Sequence, residues 1–252
     1  MRMSIEPPDQ STRRALLLLQ VIAEADSALG LMEITGRTQL DKSAVARSLQ
    51  TLLDFDLVVR DRLSKRYSLG PGLVALASQM LRRLDVRTLA RPAMERLGAE
   101  TAETVSLHVR FGANRLCVDG VESPHALRRI VPIGELLPLH QGPTGKVILA
   151  FLADDEAADI RRAAAAAGVD LDRMDAQVAF IRERHYLAVA GDRVPGVGGL
   201  SAPVFKSQGV AAAITVAGPA ERWSLERMQA FAPRLVEEAG RISAALGHPA
   251  GA

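Results

Sequence analysis

A chain of 252 residues with 48% apolar side chains has room for one large hydrophobic core or two modest ones, and its 4% aromatic content requires those cores to be built from Leu, Val, Ile and Ala. A single cysteine, Cys117, excludes an internal disulfide framework and fits a reducing compartment, while a formal net charge of +2 excludes a whole-molecule basic field, so any case for nucleic acid has to be local. The opening MRMSIEPPDQ lacks the apolar centre of a signal peptide, and no apolar run reaches the ~20 residues of a membrane span, so a soluble cytoplasmic protein with no membrane partner is expected.

Residues 1–10 are polar, carry two prolines and are expected to form a flexible arm. Ser11 is placed to cap a helix through TRRALLLLQVIAEAD, in which Ala15, Leu18, Leu19 and Ile22 share a face. A short helix, LMEITGRT, follows. In LDKSAVARSLQTLLDFD the apolar residues Val45, Leu49, Leu52 and Leu53 recur at helical spacing, which leaves Lys42, Ser43, Arg47 and Gln50 on the outward side. LVVRD and RYSLG then read as two short strands around Arg62-Leu63-Ser64-Lys65.

Three helices and a two-stranded ribbon over residues 11–70 predict a winged helix-turn-helix. Its third helix offers Arg47 for guanine and Gln50 for adenine, with Lys42 and Ser43 beside them. The ribbon brings Arg60, Arg62, Lys65 and Arg66 against Asp61 alone, a local basic patch suited to phosphates of double-stranded DNA. The alternative for these residues is a solvated charged face on an ordinary three-helix unit.

Pro71 opens PGLVALASQMLRRLDV, with Leu73, Leu76, Met80 and Leu84 as its apolar stripe. It reads as a linker helix over 71–86, too apolar to stand alone and therefore suited to a partner chain or another domain. From 87 to 252 the pattern mixes strands (TVSLHVRF, RLCVDGVE, PGVGGLSAPVF, VAAAITVAG) with helices (KVILAFL, DEAADIRRAAAAAG, AQVAFIRERH and SLERMQAFAPRLVEEAGRISAALG), the last kinkable at Pro233. An α+β domain is expected there.

HQGPTGKVILAF, from His140, invites comparison with a nucleotide loop. The G-x-x-x-x-G-K-[ST] pattern needs glycine where His140 stands and a hydroxyl where Val147 stands, so the match fails. What remains is a tight loop entering a helix, whose unpaired N–H groups favour an anion. On that reading backbone amides hold the anion, and the Lys146 side chain is dispensable. Gly199-Leu200-Ser201-Ala202-Pro203 lacks the last glycine of a nucleophile elbow, and Gly196-Val197-Gly198-Gly199 runs into a strand rather than a helix, which is not a dinucleotide turn. His108, His125, His140 and His185 show no zinc spacing; a metal site assembled only in space stays open, as does an enzyme domain fused to a DNA-binding module. No cofactor is expected.

STRRALLLLQVI, LDKSAVARSLQTLL and RYSLGPGL, followed in order by TAETVSLHV, IGELLPLHQGPTGKVILAFL, GGLSAPVF, VAAAITVAGP and AGRISAALG, resemble the IclR family of bacterial transcription regulators from Ser11 to Gly247. The resemblance implies a winged helix-turn-helix joined by the linker helix to a GAF-like α/β effector-binding domain. It also implies a homodimer or homotetramer on operator DNA, acting as a repressor or, as the other sign, an activator, and no enzyme. The effector implied is a small organic ligand of the carboxylic-acid class. Its pocket would be lined by Thr144, Gly145, Asp192, Leu200, Ser201, Ala202, Thr215 and Ala217, with Asp192 accepting from a hydroxyl or amine of the ligand. Four positions depart from the family pattern. Gln39 and Asp41 replace its usual glycine and proline before the third helix, where Asp41 is expected to cap. Asp56 replaces a usual glycine, with strain if the backbone there is left-handed. Asp192 stands where Glu is most common.

Overall fold

The computed structural model describes residues 10–82 and 85–249, so the arm expected over residues 1–10 lies, apart from Gln10, outside the described residues, as does Leu84 of the predicted apolar stripe. The chain divides into two compact units, Met1–Arg83 and Leu84–Ala252, each with its own core.

The first unit contains α1 (Gln10–Ala23), α2 (Leu31–Thr38), α3 (Lys42–Asp54), β1 (Val58–Arg60), β2 (Tyr67–Leu69) and α4 (Pro71–Arg82). Leu18 and Ile22 of α1, Ile34 of α2, Val45, Leu49 and Leu52 of α3, and Val58 and Tyr67 of the ribbon form one buried cluster. The helical spacing read from the sequence thus selects the inward face. Each such burial is worth about 1.5–3 kcal/mol relative to exposure. Helix α1 begins at Gln10, so Ser11 stands inside its first turn rather than at the cap.

Three turn residues in this unit are left-handed without being glycine, among them Lys65 at the ribbon tip with φ 58°. Gln39, the C-cap of α2, has φ 55°, and Asp56, after α3, also has φ 55°. The strain expected at Asp56 is therefore present, and Gln39 carries it as well. The ribbon end closes on the Asp56 backbone. A Cβ at Gly70 would lie 2.2 Å from the Asp56 carbonyl oxygen, and Gly72 N–H donates to that same oxygen at 2.9 Å. Asp41 does occupy the N-cap of α3 in extended conformation, but its side chain makes no capping hydrogen bond; only its carbonyl accepts, from Ala44 and Val45.

The second unit contains α5 (Asp85–Thr101), β3 (Thr104–Phe111), β4 (Asn114–Val121), β5 (Leu136–Pro138), α6 (Gly142–Leu149), α7 (Asp154–Ala166), α8 (Leu171–Arg184), β6 (Leu187–Ala190), β7 (Val197–Lys206), β8 (Gly209–Pro219) and α9 (Leu225–Ala245). Asp85 and Val86, read from sequence as the end of the linker helix, stand in α5. Helix α9 runs through Pro233 without interruption. The six strands form one sheet in the order β5-β4-β3-β8-β7-β6, with antiparallel pairing throughout.

Strand alternation sorts the side chains onto two faces. One face packs on α5 and α9: a Cβ at Gly198 would meet the Trp223 backbone at 2.3 Å and the Met228 side chain at 3.1 Å, and one at Gly98 of α5 would meet Val121. Glu238, fully buried on α9, is held there by Arg96 at 2.8 Å, with Arg234 and Arg241 also on its carboxylate. The other face carries Ser106, Thr215 and Ser201 side by side in register, and receives the start of α6, where a Cβ at Gly199 would lie 2.9 Å from Pro143. Behind that start, Val147 and Ile148 pack with Ile160, Met174, Ile181 and Leu187 in a second cluster.

Candidate nucleic-acid interface and ligand pocket

Helix α3 buries Ala44, Val45, Ser48, Leu49 and Leu52 and leaves Lys42, Ser43, Arg47 and Gln50 exposed. Lys42 and Arg47 make no side-chain hydrogen bond or ion pair among the described residues, whereas Gln50 donates to Asp54 at 2.8 Å, a contact that a ligand has to displace. In the ribbon turn the Asp61 carboxylate accepts from Leu63 and Ser64 amides and the Ser64 hydroxyl, which holds the tip and sets its carboxyl below the usual range. Arg62 and Lys65 project from this tip without partners among the described residues. Arg60 donates to the Lys65 carbonyl at 3.3 Å and lies 5.4 Å from the Tyr67 ring centroid.

Arg66 departs from the expected role. Its guanidinium donates to the Ala28 carbonyl at 2.7 Å and to Glu33 at 2.6 Å, and Glu33 also accepts from the Gly30 amide, a bond that leads in lowering its pKa. Arg66 therefore ties the ribbon to the start of α2 and is not a free phosphate ligand.

The pocket of the second unit spans about 530 Å³ of empty space, open solvent at its mouth included, between β3, β8, β7, the start of α6 and the loops before β5 and β7. At its floor Thr215 Oγ lies 2.7 Å from Ser201 Oγ and 2.9 Å from Thr144 Oγ, all three nearly or fully buried. Thr144, Asp192, Thr215 and Ala217 line the cavity, and Ser201 lies beneath it. Leu200 and Ala202 do not: they alternate onto the α9 face with Gly198. Gly145 serves packing, since a Cβ there would sit 2.3 Å from the Leu139 carbonyl oxygen.

Asp192 is committed within the protein, which corrects two expectations. Its carboxylate accepts from Lys146 Nζ at 2.8 and 2.9 Å and from the Gly142 amide at 3.0 Å, with both side chains of the ion pair nearly buried. Its oxygens are engaged within the protein rather than free for a ligand hydroxyl or amine, and the Lys146 side chain has a structural partner. The first amide of α6, assigned from sequence to an anion, is satisfied by this aspartate.

Four residues that sequence reasoning missed as site residues dominate the pocket. Arg115, Arg129 and Arg193 point three guanidinium-bearing chains toward one cavity, and His108 lines its wall. Arg115 is buried, and desolvation together with the Arg193 charge pulls it down to about 10. Its Nε has no hydrogen-bond partner, and its Nη2 reaches only the Gln141 carbonyl at 3.4 Å. Burial, then the charges of Arg115, Arg193 and Arg129, drive His108 well below the usual histidine range, so it is neutral, with Nε2 at 3.0 Å from Ser106 Oγ and Nδ1 unpartnered. The only sequence signal was a histidine on the alternation of β3; the arginines lie on a strand and two separate loops, with no shared spacing. Among the described residues no cluster of His, Cys, Asp or Glu is arranged to hold a metal, and no described helix is long and apolar enough to cross a membrane.

Residues 11–62 match the family model described as the IclR helix-turn-helix domain, and residues 78–244 the one described as bacterial transcriptional regulator IclR C-terminal. The chain is 28% identical over 245 residues to the HTH-type transcriptional repressor AllR of Salmonella paratyphi A, covering 94% of this chain and 90% of that one. It is 31% identical to Pseudomonas aeruginosa HmgR, whose crystal structure superposes with a TM-score of 0.61 over 96% of this chain and 100% of the other. A homologue from Microbacterium hydrocarbonoxydans crystallised with 4-hydroxybenzoate shares the fold at a TM-score of 0.80 and 20% identity, covering 95% of this chain and 100% of that one.

Proposed function

The chain belongs to the IclR family of bacterial transcriptional regulators, and we propose that it is a repressor whose hold on operator DNA is set by a small organic acid bound in the second unit. The observation that carries this reading is the pairing, in one chain, of unpaired exposed cations on α3 and the ribbon tip with a cationic pocket elsewhere. Lys42, Ser43, Arg47 and Gln50 read bases, with Arg60, Arg62 and Lys65 on phosphates. The effector acid lies against Thr144 and Thr215, within reach of the arginines, and the α4 segment passes its effect to the reading heads.

Binding is favoured over turnover by the site itself. Ser106 and His108 form a hydroxyl–imidazole pair, but His108 Nδ1 has no carboxylate behind it, so nothing orients the ring or stabilises an imidazolium among three arginines. A homodimer or homotetramer is proposed because Leu76 and Met80, on one face of α4, are 60 and 48% exposed in the single chain, an apolar surface that a second copy would cover. The cytoplasm is the compartment in which such a protein meets DNA.

Selection of genomic fragments by the purified chain, followed by titration of organic acids into the complex, tests the proposal. The expected result is enrichment of a palindromic site whose occupancy changes with one acid. Uniform capture of all fragments, with no acid effect, would overturn it. Light scattering on the same preparation reports the assembly, and a strict monomer that binds a palindrome at full affinity would remove the dimer from the scheme.

A further inference from the structure

Charge within the pocket does not balance. Three arginines, Arg115, Arg129 and Arg193, face it, and Glu135 is the one carboxylate lining it that is not already neutralised, since Asp192 is paired with Lys146. The Glu135 match is loose: its Oε2 stands 3.8 Å from Arg129 and has no hydrogen-bond partner. His108, held neutral, adds no charge. Three positive groups against one negative leave an excess of two.

The three guanidinium groups stand in two places. Arg115 and Arg193 converge at the start of α6, where a Cβ at Gly142 would lie 3.5 Å from Arg115 Nη2 and 3.9 Å from Arg193 Cβ. Arg129 stands on the loop before β5 with Glu135. A buried guanidinium with an unpartnered Nε is poorly solvated, and like charges nearby raise its cost further. A monoanion would leave one of these charges unmatched.

We propose that the pocket takes a small dicarboxylate dianion, one carboxylate on Arg115 and Arg193 at the α6 start and the other on Arg129, with the buried Thr144–Thr215–Ser201 hydroxyls beneath it. This rests on the reading of the cavity as the effector site, and narrows it from organic acids at large to diacids. Glu135 acts as a counter-charge that the second carboxylate displaces from Arg129.

Calorimetry on the full-length protein tests this with succinate and glutarate, their monoamides succinamate and glutaramate, and inorganic phosphate as a compact dianion. Each diacid is expected to bind at least about tenfold more tightly than its monoamide, as a charge-assisted hydrogen bond to guanidinium is worth that much or more. Arg193→Gln, at a half-buried residue with no side-chain partner among the described residues, is expected to fold normally and to collapse that ratio to near unity. Glu135→Gln is expected to tighten diacid binding several-fold. Equal affinity of diacid and monoamide, an intact ratio in Arg193→Gln, tighter binding of phosphate than of either diacid, or failure of both diacids to bind would each overturn the dianion. The two readings separate cleanly: a monoacid that releases operator through this pocket removes the dianion and keeps the regulator, whereas diacid binding with the expected ratio but no effect on operator occupancy at saturation keeps the dianion and removes effector control.

Discussion

The two units use positive charge in opposite ways. On α3 and the ribbon tip Lys42, Arg47, Arg62 and Lys65 are exposed and unpaired among the described residues, while around the pocket Lys146 is locked to Asp192 and Arg115 is buried with its Nε unpartnered. Exposed cations keep their hydration, interact over several ångströms and are screened by salt, which suits a polyanion whose condensed counterions they release. Buried cations are screened little and are demanding about geometry, which suits one small anion. Arg66 marks the boundary between these uses: it lies in the basic ribbon, yet its bonds to Glu33 and Ala28 make it part of the scaffold.

The contrast is broken most severely at Lys146. Lys146→Met leaves the nearly buried Asp192 carboxylate with only the exposed Arg173 at 3.7 Å and should destabilise the second unit by about 3 kcal/mol. Denaturant unfolding followed in that unit measures the loss, and the double substitution with Asp192→Asn should recover most of it. A single substitution that leaves unfolding unchanged would show the pair to be solvated.

Arg47→Ala sharpens the other side of the comparison. It should cost about 1–3 kcal/mol in operator binding and relax base preference, with no change in unfolding, because the side chain has no intramolecular partner among the described residues. Arg62→Ala, by contrast, should weaken all sequences alike and reduce the slope of log affinity against log salt by about one. Equal losses on specific and random DNA for Arg47→Ala would move it from base reading to phosphate contact.

At the pocket floor, Thr215→Val keeps shape but removes the hydroxyl shared by Ser201 and Thr144. A loss of about 1 kcal/mol in stability is expected, with Ser201 still donating to Thr144 at 3.3 Å. Operator affinity without effector should not move, and a change there would couple the floor to DNA binding in the absence of ligand.

The smallest effect is a gain. Gln39→Gly relieves a left-handed backbone at the end of α2 and should stabilise the first unit by about 0.5–1 kcal/mol, read as a shift in its thermal midpoint. A neutral or destabilising result would mean that the side chain makes up for its own strain.

Element order was legible because it depends on local periodicity. Val45, Leu49 and Leu52 specify the inner face of α3 without reference to anything distant, and TVSLHVRF announces β3 to the residue. The short strands β5 and β6 were not seen, since three or four residues carry too little alternation to stand out. Among site residues, Thr144, Asp192, Thr215 and Ala217 were placed at the pocket by resemblance. Leu200 and Ala202 were carried along with their strand, although alternate residues face opposite sides.

By itself the sequence determined two units, an exposed basic face on the first and the family to which the chain belongs, because hydrophobic spacing and motif order are properties of neighbouring residues. Only the tertiary structure decided which charges are free. Arg66 meets Glu33 across 33 positions, Lys146 meets Asp192 across 46, and Arg115, Arg129 and Arg193 come together from a strand and two loops. Electrostatic environment depends on separation in space and on burial, and neither is encoded in the interval between residues along the chain.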